Sequence, residues 1–128
     1  MHGQSLHQVL VDGFRRVSEL LDRTSSTLAA DPVLDQLAAH VDAAPESADT
    51  RKALSQVLDS WELPGVTEFI QYFGHRFRWD WLRREVEAGY RDSVTRPNRR
   101  LTRHYERMLE SFSDDWEDKD LFPSLDRF

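Results

Sequence analysis

The sequence predicts an all-α fold, a single compact bundle of five or six helices with short connections. Three observations carry this expectation. No run alternates apolar and polar residues as a half-buried strand would, Val and Ile are scarce, and only five Gly and five Pro interrupt 128 residues. Hydrophobic content of 39% beside 31% charged residues fits a globular chain. Residues 1–128 are long enough to bury roughly two-thirds of the unfolded surface in one core, so one domain is expected.

Leu6, Leu10, Phe14, Val17 and Leu21 recur at helical spacing behind Ser5, an N-cap residue type, which predicts a first helix from about Ser5 to Asp22. The RTSST run then breaks it. Asp31 followed by Pro32 reads as an N-cap and first-position proline for a second helix carrying Leu34, Leu37, Ala38 and Val41, closed before Pro45. A third helix starts in the Ser47–Thr50 region and presents Leu54, Val57, Leu58 and Trp61 on one face, ending at Leu63-Pro64-Gly65.

The next segment opens at Val66 or Thr67 and runs through GHRFRWDW, Gly74 to Trp81. On a wheel of about 100° per residue, Val66, Phe69, Ile70, Phe73, Phe77 and Trp81 share one face, while Tyr72, Trp79, Leu82, Val86 and Tyr90 lie nearly opposite. The apolar face changes sides inside the segment. Either one helix is buried on two faces, or two helices meet near Arg78 to Asp80 with Asp80 as the second N-cap; the break is favoured. Phe69, Phe73, Phe77, Trp79 and Trp81 are therefore expected in the core. A last helix begins near Pro97, with Leu101, Tyr105, Met108, Leu109 and Phe112 as its stripe, and is expected to extend as far as Trp116.

Several chemistries are excluded or weakened. There is no cysteine, so thiolate nucleophiles, disulfides and Cys-ligated metals are absent. No glycine-rich phosphate loop or G-x-S-x-G elbow occurs, and no histidine sits three or four residues from a second ligand as helical metal sites require. No cofactor or metal is expected. His75 is the most suggestive single residue for catalysis, but it points about 140° away from Asp80 on a continuous helix, so the pair forms a dyad only across a break. No segment reaches the length of about 18 apolar residues that a bilayer span needs. A cytoplasmic location is the expectation, and the excess of arginine over lysine, fifteen to two, suggests a GC-rich bacterial coding sequence.

Charge carries the sharper information. Net charge is −6, yet residues 73–107 hold ten basic and five acidic side chains, net plus five, between two segments that are each net minus five. Arg96, Arg99, Arg100, Arg103 and Arg107 lie opposite the Leu101 stripe and form an arginine face. If the helix continues, Glu110, Asp114, Glu117 and Asp118 turn the same face acidic, which would make it self-complementary in an antiparallel homodimer.

The bland alternative is a solvated face eased by Arg103–Glu106 and Arg107–Glu110 pairs. The acidic aromatic tail, 113–128, with Trp116, Leu121, Phe122, Leu125 and Phe128, reads as a docking segment or as a wrap around the domain.

These features predict a small non-enzymatic protein-interaction module of the regulator, immunity or accessory type. Its partner-binding residues would be Arg96, Arg99, Arg100, Arg103, Arg107, Asp114 and Trp116, and its partner another protein or a second copy. Nucleic-acid or phosphate-ligand binding through Arg96 to Arg107 is the alternative, disfavoured by the overall acidity and the lack of a helix-turn-helix pattern. A small enzyme using His75 ranks third.

Overall fold

A computed structural model describes residues 5–96 and 98–127. Pro97, where the last helix was expected to begin, and Phe128 lie outside the described residues. Six α-helices and no strand occur among those residues: α1 Leu6–Thr24, α2 Thr27–Asp42, α3 Ala48–Asp59, α4 Val66–Phe77, α5 Asp80–Thr95 and α6 Arg99–Glu110. Two short 3₁₀ helices, Glu117–Leu121 and Pro123–Arg127, follow. No helix among the described residues is long and apolar enough to cross a membrane.

Helix α1 starts as the sequence predicts, with the Ser5 hydroxyl accepting from the Gln8 amide. Helix α2 does not. Ser26 is its N-cap, accepting from the Ala29 amide, so Asp31 and Pro32 fall in the second turn. The proline therefore forgoes the bond its amide would make to the Leu28 carbonyl. Asp31 is buried and has a tertiary partner instead: its carboxylate accepts from the amide and hydroxyl of Ser124. Helix α3 opens at the Ser47 cap but stops at Asp59, which leaves Trp61 half-buried in the following turn rather than on the helix face.

The chain does break between α4 and α5. Arg78 adopts φ 53°, a left-handed conformation in a non-glycine residue, and Trp79 takes the N-cap place expected for Asp80, which becomes the first helical residue. Such backbone strain costs about 1–3 kcal/mol. The Arg78 side chain offsets it by donating to the carbonyl of His75 at 2.8 Å and of Phe112 at 3.3 Å, and by pairing with Asp114 at 2.7 Å. One residue thus ends α4 and ties it to the turn after α6.

Helix α4 lies at the centre, with Val66, Phe69, Ile70, Tyr72 and Phe73 fully or almost fully buried. The second apolar face is covered too, since Trp79, Leu82 and Val86 are buried. Phe73, Phe77, Trp79 and Trp81 form a stacked ladder across the break, with successive ring centroids 6.0, 4.6 and 5.3 Å apart. Phe77 and Trp81 are half-buried, and Arg76 and Arg51 cap their rings with guanidinium groups. Arg76 also binds Asp42 and Asp35 of α2, so part of the cationic run in the segment is used to hold helices together.

Candidate functional site

Helix α6 is an outer helix packed on α4 and α5. Its stripe turns inward as expected: Met108 is buried and Leu101, Tyr105 and Leu109 are half-buried. Gly89 of α5 lets it approach closely, because a Cβ there would come within 2.5 Å of the Tyr105 ring. Contacts of Gly89 with Tyr105 and Ser93 with Thr102 run in opposite sequence directions, so α5 and α6 are antiparallel.

Against α4 the geometry is different. Thr67 bonds His104 Nδ1 at 2.6 Å, Gln71 donates to the Arg107 carbonyl at 3.0 Å, and His75 Nδ1 donates to the Ser111 carbonyl at 2.8 Å. These partners advance together along both helices, so α4 and α6 run parallel. Thr67, Gln71 and His75 are buried polar residues spaced four apart, a polar seam in an otherwise apolar interface. The sequence reading overlooked it, although three polar residues at helical spacing inside a strongly apolar helix mark such a seam.

The seam accounts for His75, and it holds His104 as well. Burial lowers the affinity of His75 for a proton, and its ring lies against Trp116 with centroids 5.2 Å apart. Asp80 is exposed at the start of α5 and is not among the hydrogen-bond partners of His75. His104 is pushed down to about 4, first by burial and then by the charge of Arg107. Its Nε2 is buried without a hydrogen-bond partner, so a proton arriving there would bring charge into an unsolvated position. Among the described residues, no three His, Asp or Glu side chains gather as a metal-ligand group.

A pH effect follows from His104. In the unfolded chain it takes a proton near the ordinary value of 6.5, whereas the folded chain resists until about 4. Between these values the unfolded state binds more protons, so stability should fall as pH drops through this window and level off below it. His75 acts in the same direction. Denaturation midpoints at pH 7, 5.5 and 4 should show a smaller acid loss in His104→Gln than in the natural chain; equal losses would show that His104 does not contribute.

Outward, α6 presents Arg99, Arg100, Arg103 and Arg107, all exposed. Arg107 approaches Glu68 at 3.9 Å, while Arg99, Arg100 and Arg103 have no ion pair among the described residues. The Arg103–Glu106 and Arg107–Glu110 pairs that would ease the face do not form. Arg96 is exposed but precedes the helix, at the C-cap of α5.

Asn98 caps α6 by accepting from the Leu101 amide at 3.2 Å, and the first turn contains no acid. Arginines therefore crowd the helix end at which the macrodipole favours negative charge. Grooves of about 400 and 410 Å³ flank this ridge, one beside Val94 and Thr102, the other beside His104 and Arg107, and Arg99 and Arg103 border both.

Two expected site residues belong elsewhere. Helix α6 stops at Glu110 rather than continuing to Trp116, so Asp114, Glu117 and Asp118 are not on its face. Asp114 is highly exposed but paired with Arg78. Trp116 is only 6% exposed, packed between His75 and Phe122, and cannot be a surface contact. Comparison with protein-family models, curated proteins and solved structures gives no match to this chain, so its reading rests on its own residues.

Proposed function

We propose that this chain is a non-enzymatic protein-interaction module that receives an acidic protein surface on the outward face of α6. The observation that supports this is the run Arg99, Arg100 and Arg103, exposed side by side at a helix N-terminus with no ion pair among the described residues. Their planar guanidinium groups suit two-point contacts to carboxylates, and an anionic group there would also gain from the helix dipole. Acidic residues 110–120 at the other end of α6 disfavour a long polyanion lying along the helix.

Capture from a host extract at low salt should retain a protein that is released by added salt and lost with the double variant R99E/R103E. Both positions are exposed, so thermal stability should fall by no more than about 0.5 kcal/mol. Capture that is indifferent to the variant would reject the face. Retention of DNA or RNA instead, with affinity falling steeply in salt, would transfer the site to phosphate ligands.

A further inference from the structure

We infer that the groove beyond the C-terminal end of α6 receives a basic peptide segment of a protein partner, which sets arginine or lysine side chains on its carboxylates and a peptide carbonyl on the indole N–H of Trp116. The groove encloses about 300 Å³ between Glu110, the last residue of α6, and the turn and 3₁₀ helix that follow, with Ser113, Asp115, Trp116, Glu117 and Asp118 as its other walls. Arg99, Arg100 and Arg103 lie toward the opposite end of α6 and take no part, so this site stands independently of the proposed function.

Charge selects a cationic ligand. Glu110, Asp115, Glu117 and Asp118 are all exposed and have no ion pair among the described residues. Two cations close by are already engaged, Arg78 with Asp114 at 2.7 Å and Lys119 with Asp126 at 3.8 Å. A concave surface lined by one sign of charge concentrates the opposite sign from solution. The acids do not converge as metal ligands, since no three His, Asp or Glu side chains among the described residues gather to hold an ion. Charges spread around a groove suit several cationic points on one chain instead.

Trp116 narrows the ligand to a peptide. It lines the groove while only 6% exposed, its ring packs between His75 and Phe122, and its Nε1–H is buried without a hydrogen-bond partner. With the ring faces covered, an indole edge is what borders the groove. A buried indole N–H ordinarily finds an acceptor. Metal ions and protonated polyamines offer none, whereas a peptide carries a carbonyl beside every basic side chain. Nε1 is covered in the free chain, so docking draws the exposed acids of the rim toward the incoming cations before the carbonyl closes on it. Asp115 is already held by the Ser113 hydroxyl, which donates to its carboxylate. The side chains left to turn are those of Glu110, Glu117 and Asp118.

Calorimetry and NMR of the full chain at low salt test this, with acetylated, amidated Arg-Gly-Arg-Gly-Arg as the probe and spermine and Ca²⁺ as comparisons. The peptide should bind, and its affinity should fall as salt rises. The double variant E117Q/D118N should weaken it at least about fivefold. In the isotope-labelled natural chain the Trp116 indole N–H signal should move downfield and saturate together with peptide binding, as a newly bonded donor does. Spermine, which carries charge without an acceptor, should not move it downfield.

No peptide binding at low salt, or binding that E117Q/D118N does not weaken, would overturn the inference. So would an unmoved indole signal in the saturated peptide complex. Ca²⁺ bound in the groove as tightly as the peptide would overturn it too, by making the site one for a bare cation.

Discussion

Trp79→Ala should destabilise the fold by about 3–5 kcal/mol, the cost of emptying a large aromatic site in a core. Trp79 is 5% exposed, stacks on Phe77 at 4.6 Å with rings 4° from parallel, and leans on Trp81 on its other side. It is also the N-cap of α5, so the vacancy opens where the backbone is already held in a strained turn at Arg78. Relaxation there would have to move α4 against α5, which keeps the cost high. Chemical denaturation would check it, with an unchanged midpoint removing Trp79 from the core. Trp79→Phe should recover part of the loss, since it keeps a ring in the stack.

Phe122→Ala should cost a similar amount, about 3–5 kcal/mol, although it lies in the segment that the sequence offered as a docking tail. Phe122 is fully buried, with its ring 5.7 Å from Tyr72 and 5.5 Å from Trp116. Leu125 is buried beside it in the core, and Ser124 bonds both Tyr72 and Asp31. Residues 116–125 thus complete the core over α4 and α2. A chain ending at residue 115 should lose cooperative thermal unfolding, whereas a freely displayed tail would leave the transition intact. Side-by-side melts of the natural and shortened chains distinguish these outcomes.

The sequence revealed most of the helices because their apolar residues repeat at the right period, Ser5 and Ser47 mark two starts, and Leu63-Pro64-Gly65 marks the break after the third. The α4–α5 break was legible in the same way: the apolar face moved to the other side of the wheel at Arg78 to Asp80. Where the reading failed, a distant residue decided the outcome. Asp31 looks like a cap until Ser124, 93 positions away, takes its carboxylate. Trp116 looks like a surface aromatic among acids until His75 and Phe122 enclose it. Local pattern does not contain such long-range partners.

The arginine face was legible because it depends only on helix periodicity, whereas the end of α6 at Glu110 was not. No proline or glycine marks that end. Ser111 is buried, its hydroxyl bonds the Met108 carbonyl and its own carbonyl accepts from His75, so tertiary contacts help to close the helix. The charge reversal expected along one helix consequently survives only in Glu106 and Glu110, with the remaining acids set on the turn beyond.

The bond from Asp31 to Ser124 also bears on how the chain reaches this state. It joins the second helix to a segment near residue 125, and Ser124 also bonds the Tyr72 hydroxyl, so early, middle and late parts of the polypeptide meet at one latch. During synthesis the first helices can pair locally as they emerge, but Tyr72 has no complete enclosure until Phe122 and Ser124 are made. A nascent chain would therefore carry part of the aromatic surface of α4 uncovered from the time it is made until residues beyond 120 follow, and the final closure would be a late event.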